Sequence, residues 1–548
     1  MTLRSSLLLR LRSALQRLFG VSGWQSMLLW SIVAGLLGTL ATEGFRAALR
    51  GFEHLVLGPG DSLVAMARAL PWWARIAFPA AGGLVAGGLL VLAKRVAVRS
   101  ASSLVSIGTG GSIGREGSMV QLAALAASLL GRVFRFPVER LRLLVACGAA
   151  AGLTAAYNAP IAGAFFVAEI VLGSIVMESV GPILIAAVVA NIVMRALPGY
   201  QPPYQMPVFP ELHGAEIPLF ALLGVLLGFA AAGFLRALQG SRALFARLLF
   251  ALPWRLALGG LAMGLVSVPW PEVWGNGYSV VNAVLHTPWT WTLIAMVLAA
   301  KLVATLATAG SGAVGGVFTP ALFFGCMVGA LFGHAAQALW PHAVSAPSAY
   351  AVVGMGAFLA GATQAPLMAI LMIFEMTLNY QVMLPLMLAG VIAYFVARSA
   401  NAGSMYEITL RRREQQDEQL RLRALHIRDL VQPAQTVVGP EADREAMSRL
   451  FLQHPVKYLY VVDAQQRYLG VVPLSALGTA AAEVRAADLL SQAIAPITAD
   501  TSLGEALQRF LEHLGERLPV IESTANPVLL GVAAKSALLT TYVRLSEV

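Results

Sequence analysis

The sequence predicts an all-α polytopic membrane protein built as an inverted repeat of tilted and re-entrant helices, followed by a small α/β pair of domains. Three observations carry that expectation. Only 12% of the 548 residues are charged and 58% are hydrophobic, whereas a soluble chain carries about a quarter charged residues. The deficit is confined to residues 26–405; residues 406–548 read as an ordinary soluble sequence. Within the apolar part the sequence repeats itself, with matched Gly, Pro and Glu positions.

The apolar stretches Ile76–Ala93, Ile217–Leu235 and Met383–Ala397 approach the roughly 20 residues that span a bilayer core. Others are shorter and interrupted by Gly or Pro. Broken helices of that kind are tolerated in a membrane where the freed backbone is buried in protein or lines a cavity. The expected organisation is a membrane unit over 1–405, with repeats over about 25–200 and 215–405, a charged helical linker over 406–425, and a soluble pair over 426–548.

A net charge of +10 invites a nucleic-acid reading, which the placement of the charges argues against. Arg4, Arg10, Arg12 and Arg17 precede the first apolar run, and Arg411, Arg412 and Arg413 follow the last. The excess of basic residues on cytoplasmic flanks accounts for both clusters and puts both termini in the cytoplasm. No small-residue cleavage site follows the first apolar run, so no removable signal peptide is expected. Cys147 and Cys326 sit in Gly/Ala-rich surroundings and read as packing residues, and the eight histidines show no metal-ligand spacing. No metal is expected.

The repeat is explicit. Leu104-Val-Ser-Ile-Gly108-Thr-Gly110 matches Leu306-Ala-Thr-Ala-Gly310-Ser-Gly312 at an offset of 202, where Gly114 meets Gly316, Glu116 meets Phe318 and Ser118 meets Pro320. Asn158-Ala159-Pro160 matches Gln364-Ala365-Pro366 at an offset of 206, and a glutamate follows each proline nine residues on, Glu169 and Glu375. Duplicated halves of a transporter are often inverted, with the ion site between them.

Gly114-Arg115-Glu116-Gly117 lies between two apolar stretches. A glutamate inside a membrane segment is expensive and is functional by default. The glycines expose backbone N–H groups at the start of the next helix, and such a helix start is an anion site. The Glu116 carboxylate can occupy that site itself, to be displaced by an anion or neutralised by a proton. Gly315-Gly316-Val317-Phe318-Thr319-Pro320 repeats the architecture without the carboxylate, with Pro320 suited to the first turn of a helix. Two such helix starts facing each other hold an anion weakly enough for it to leave.

These motifs resemble the CLC family of chloride channels and chloride/proton antiporters, of the bacterial voltage-gated type. Gly-Arg-Glu-Gly and Gly-Val-Phe-Thr-Pro look like its two signature motifs. Ala156-Tyr157-Asn158-Ala159-Pro160, Phe374-Glu375-Met376-Thr377-Leu378-Asn379-Tyr380 and Gly403-Ser-Met-Tyr406 look like further family segments. The resemblance covers roughly residues 25–410. It implies a homodimer in the bacterial inner membrane with one ion path per subunit, passing chloride or a similar small anion, with protons as a second cargo in the exchangers. By the same resemblance Glu116 is the gate, and Arg115, Gly117, Gly316, Val317, Phe318 and Tyr406 surround the anion. A proton route, where one exists, would run through Glu116 and Glu169.

The chain departs from the family at three points. The inner proton-relaying glutamate of many exchangers falls at Ile170, and Glu169 stands about 100° away round a helix. Ser118 replaces the proline that usually ends the gating motif. An early Gly-x-Gly-x-Pro loop, whose serine touches the central anion in the family, is absent. Trp73 and Gly82-Gly83-Leu match Trp254 and Gly259-Gly260-Leu at offsets of 181 and 177, against 202 after Val98, so the first half is short by about 21–25 residues near Lys94–Val98. The second half keeps its counterpart, Gly275-Asn276-Gly277-Tyr278. A helix from near Ala74 to near Lys94 and another from near Arg99 are expected. If their ends lie on opposite sides of a roughly 30 Å core, four extended residues reach only about 14 Å. A chain break between about Arg95 and Arg99 is then expected, or else a distorted first half with no serine at the central site.

The soluble part contains two similar units. The first runs from Ile427-Arg-Asp429 through a helix at 442–453 to strands at 458–462 and 470–472; the second runs from Ala487-Asp488 through 503–512 to 518–521 and 529–532. This doublet resembles a CBS domain pair. In such pairs an adenine nucleotide is held by a Ser/Thr-x-x-Asp; here Ser475-x-x-Gly478 and Ser536-x-x-Leu539 lack the Asp. A dimerising or regulatory role with no cofactor is expected. The remaining readings are an uncoupled chloride channel, favoured by Ile170, and a fluoride exporter of the same family, disfavoured by the chloride-type Phe318 and Tyr406. A divalent-cation transporter lacks the acidic path it needs. An enzyme is not expected, because no nucleophile–base or metal constellation is visible.

Overall fold

The computed structural model describes residues 24–92, 96–173, 177–198, 201–207, 214–341, 344–400, 403–406, 426–512 and 515–546. The basic N-terminal cluster, Lys94, Arg95 and all of the expected linker except Tyr406 lie outside the described residues. The chain divides into two compact units, Met1–Glu407 and Ile408–Val548.

The first unit is helical. Its first half comprises α1 (Trp24–Leu57), α2 (Leu63–Ala69), α3 (Trp72–Leu92), α4 (Val96–Gly108), α5 (Glu116–Val133), α6 (Val138–Tyr157), α7 (Pro160–Phe166, continuing as a π-helical turn over Val167–Leu172) and α8 (Met177–Ala196). The second half comprises α9 (Ile217–Arg247), α10 (Leu252–Ser267), α11 (Tyr278–His286), α12 (Trp291–Gly310), α13 (Phe318–Leu339), α14 (Pro347–Thr363), α15 (Pro366–Thr377) and α16 (Met383–Ser399). Among the described residues, 7 helices are long and apolar enough to cross a membrane, and α4, α7, α10 and α15 are shorter apolar pieces.

The repeat seen in sequence is a repeat of contacts. Asn158 and Gln364 end α6 and α14 in the left-handed conformation, at φ 61° and 60°, and Pro160 and Pro366 open the next helices, where a missing N–H costs nothing. Gly114 and Gly316 exchange both backbone hydrogen bonds, at 2.6 and 2.8 Å. Antiparallel pairing of two equivalent residues places a local twofold axis between the halves. The same relation holds where α3 packs on α10. A Cβ on Gly83 would strike the Leu256 carbonyl, and one on Gly260 would strike the Pro79 carbonyl. Only glycine permits that approach of two backbones.

The expectation of a break between Arg95 and Arg99 does not hold for residues 96–99, which open α4. The Ser102 hydroxyl donates to the Ala86 carbonyl at 2.9 Å, and these two residues lie equally far from residue 94 on either side. Helices α3 and α4 are therefore an antiparallel hairpin, and both ends at the connection lie on the same side. A reach of about 14 Å is too short only for ends on opposite sides. A re-entrant element enters and leaves by one face, so its removal leaves two neighbouring ends that a few residues join. The element α11 of the second half has no first-half counterpart among the described residues.

The second unit contains two three-stranded sheets. In the first, β1 (Val437–Val438) runs parallel to β2 (Tyr458–Val462), which pairs antiparallel with β3 (Tyr468–Pro473); α17 (Arg444–Gln453) links β1 to β2, and α18 (Leu474–Gly478) follows β3. The second repeats this with β4 (Ile497–Thr498), α19 (Leu503–Glu512), β5 (Arg517–Ile521), β6 (Leu529–Ala534) and α20 (Lys535–Ser546). The leading segments are exchanged. Arg428 N–H donates to Ala499 O, and Ala487 N–H donates to Pro440 O, both at 2.9 Å. Ile427, Tyr460 and Val471 of the first repeat share a core with Ile497, Phe510 and Val532 of the second, so neither repeat closes its core alone.

Candidate anion site at the paired helix starts

The Gly114–Gly316 pairing brings two helix starts together. Glu116 is the first residue of α5 and Phe318 the first of α13, so the first-turn N–H groups of both helices have no acceptor within their own helix. Glu116 is 2% exposed. Its side chain folds back over Gly114, where a Cβ would collide with Oε2. Oε1 accepts a hydrogen bond from Tyr278 Oη at 2.8 Å, and Oε2 is buried with no hydrogen-bond partner among the described residues.

Arg115 does not form an ion pair with Glu116 among the described residues. Its guanidinium lies 5.3 Å from the centre of the Tyr278 ring and lines an open cavity of about 280 Å³ with Arg46, Arg50 and Glu43. A second cavity of about 280 Å³ is lined by Gly117, Ser118 and Gly315 together with Arg99, Gln121 and Arg242. Glu116 stands in the chain between the lining residues of these two basic cavities.

Phe318 is buried, 5.2 Å centroid to centroid from Tyr157 and 6.5 Å from Phe166, and Phe166 meets Tyr406 edge-on at 5.6 Å. Tyr406 is held by its own segment: Met405 N–H donates to Ala362 O, Ser404 Oγ donates to Thr363 O, and Tyr406 N–H donates to Ser404 Oγ, at 3.0, 2.7 and 3.2 Å. The structure thus brings Arg115, Glu116, Gly117, Gly316, Val317 and Phe318 into one place, with Tyr406 joined through Phe166.

Glu169 is engaged elsewhere. Its Oε2 accepts from Met368 N–H at 2.8 Å, at the start of α15. Glu375 does the reciprocal job, accepting from Ile161 and Ala162 N–H at 2.9 and 2.7 Å, at the start of α7. Each half supplies the carboxylate that caps a helix of the other, which favours both partners at the positive end of a helix.

Three residues of the site escaped the sequence reading. Tyr278 was visible only as part of the retained Gly275–Tyr278 loop. Tyr157 joins Thr319, Oη to Oγ1 at 2.9 Å, and Thr319 Oγ1 is 3.5 Å from Tyr278 Oη. Lys301 is fully buried in α12 and donates to Val273 O and Gly275 O at 2.9 and 2.7 Å; a lone lysine in an apolar 20-residue helix was itself a signal.

An inverted helical repeat whose two halves meet at paired helix starts, with a buried carboxylate on one of them, defines a membrane transport protein for anions. The voltage-gated chloride channel family model matches residues 90–398. The chain is 51% identical over 422 residues to a putative ClcB-like chloride channel protein of Ralstonia nicotianae, covering 71% of this chain and 98% of that one. It is 39% identical over 407 residues to the voltage-gated ClC-type chloride channel ClcB of Escherichia coli, covering 69% and 97%. The crystal structure of a slow cyanobacterial Cl⁻/H⁺ antiporter aligns with a TM-score of 0.64 at 26% identity, over 72% of this chain and 98% of that one. A eukaryotic CLC transporter shares the fold over 93% of this chain, with a TM-score of 0.60 at 18% identity. The chain belongs to the voltage-gated chloride channel (CLC) family, and it is an integral membrane protein.

Proposed function

We propose that this protein moves chloride or a similar small anion across the bacterial inner membrane, through a path gated by Glu116 in each subunit of a homodimer, with both termini cytoplasmic. The observation that carries the reading is the Gly114–Gly316 pairing, which sets Glu116 and Phe318 at two adjoining helix starts. Helix-start N–H groups bind an anion through partial charges, without a full positive charge that would trap it. Arginines line both cavities, the one bordered by Arg115 and the one bordered by Gly117, and they raise the local concentration of an anion. The Glu116 carboxylate competes for the same donors and yields to an anion or a proton.

Uncoupled passage is favoured over proton exchange. Ile170 cannot carry a proton, and the Glu169 carboxylate beside it is committed to the start of α15. Phe318 and Tyr406 argue for chloride over fluoride. For the soluble pair we favour a dimerising or regulatory role without bound nucleotide, since neither Ser475-x-x-Gly478 nor Ser536-x-x-Leu539 offers the ribose-binding Asp.

The test is chloride flux from liposomes with and without an imposed pH gradient. Anion transport without coupling predicts that chloride runs down its own gradient and that a pH gradient alone drives no net chloride movement against it. Uphill chloride movement driven by protons would overturn the uncoupled reading, and no chloride flux in either condition would overturn anion transport.

A further inference from the structure

The Glu116 carboxylate has one hydrogen-bond donor among the described residues, the Tyr278 phenol at 2.8 Å. Everything around that phenol holds it still. Tyr278 opens α11 immediately after Gly277, whose φ is 95°. Arg115 covers one part of its ring at 5.3 Å, and Tyr204 meets the ring edge-on at 4.8 Å. Thr319 Oγ1 lies 3.5 Å from the hydroxyl and is itself joined to Tyr157. In the loop that leads to Tyr278, the carbonyls of Val273 and Gly275 accept from Lys301, and Gly275 N–H donates across the repeat to Gly110 O at 3.2 Å. A phenol fixed from so many sides cannot follow a carboxylate that moves.

We propose that Tyr278 is a fixed latch on the gate: its hydroxyl holds the Glu116 carboxylate in the closed position and so sets the pH at which the anion path opens. This rests on the reading of Glu116 as the gate and adds to it the group the gate must leave. Tyr278 is a positioning residue, acting through Glu116. A hydrogen bond donated to a carboxylate favours its charged, bound form. Removing the donor makes both protonation and departure easier, so the path opens at a higher pH.

Among the described residues, the ionisable groups facing Glu116 are Tyr278 on α11, Tyr157 on α6, Tyr204 in the segment before α9 and Tyr406 at the end of the unit, with Arg115 over the Tyr278 ring. Phenols and a guanidinium keep their charge state between about pH 4 and 8, which sets the range of the test.

The experiment is chloride efflux from liposomes across that range for the parent, Tyr278→Phe, Glu116→Gln and the double variant. Phenylalanine keeps the ring that Arg115 and Tyr204 pack on and deletes only the hydroxyl. At a pH where the parent is mostly closed, Tyr278→Phe should raise flux by about tenfold and move the flux midpoint up by about one pH unit. Glu116→Gln should be flat with pH, and the double variant should match it. If Tyr278→Phe fails to fold, 3-fluorotyrosine at 278 keeps the shape, strengthens the donor, and should move the midpoint down. A Tyr278→Phe or fluorotyrosine profile that superposes on the parent's, with Glu116→Gln flat, would reduce Tyr278 to packing. A Glu116→Gln profile that keeps the parent's pH dependence would instead remove the gate reading on which the latch depends.

Discussion

Replacing Glu116 by glutamine is expected to leave chloride flux running and to abolish its dependence on pH. The side chain stands at the start of α5, 2% exposed, in contact with the backbone of Gly114 and bonded by one phenol. Glutamine has nearly the same shape, so the fold should tolerate it, yet it carries no charge to compete with an anion for the helix-start donors. In the parent the open fraction should rise with falling pH, by up to about tenfold per unit on the closed side of the midpoint. In Glu116→Gln that slope should vanish, with flux at the parent's low-pH level or above. Glu116→Ala should behave the same way. The measurement is initial chloride efflux from liposomes against pH; a variant as pH-sensitive as its parent would remove Glu116 from the gate.

The second large effect concerns stability. Gly260→Leu should destabilise the membrane unit by on the order of 4 kcal/mol, in the range reserved for severe core disruption. A side chain there meets the Pro79 carbonyl, which is backbone and cannot rotate away, and the reciprocal contact of Gly83 with Leu256 holds α3 and α10 at the same short distance. Gly233 on α9 is the control, because nothing lies within 4 Å of the position a Cβ would take. Gly233→Ala should be neutral or slightly stabilising, by up to about 1 kcal/mol from helix propensity. Thermal denaturation in detergent, followed by the loss of monodisperse protein, separates the two. Equal midpoints for Gly260→Leu and the parent would show that the helices are not held at this contact.

Much of this was legible because the repeat preserves the residues that punctuate helices. Gly114 with Gly316, Pro160 with Pro366 and Glu169 with Glu375 stand out against an apolar background, and each pair does the same job in both halves. In the soluble part the strand expected at 458–462 and the helix expected at 503–512 coincide with β2 and α19. Contacts across the local twofold were not legible. That Glu169 caps α15 while Glu375 caps α7 depends on how the halves are opposed, which spacing along one chain does not encode. The hairpin of α3 and α4 was missed because a reach argument needs to know which sides the two ends occupy. Tyr278 was missed because its importance lies in reaching Glu116, 162 positions away in sequence.

The central claim is that an anion binds between the starts of α5 and α13, and bromide locates it most directly. Crystals of Glu116→Gln grown in bromide should show an anomalous peak within hydrogen-bonding reach of the first-turn N–H groups at Gly117 and Phe318, and the parent's carboxylate should weaken or displace that peak. Bromide bound elsewhere in the membrane unit, with these helix starts empty in a variant that still transports, would contradict the account.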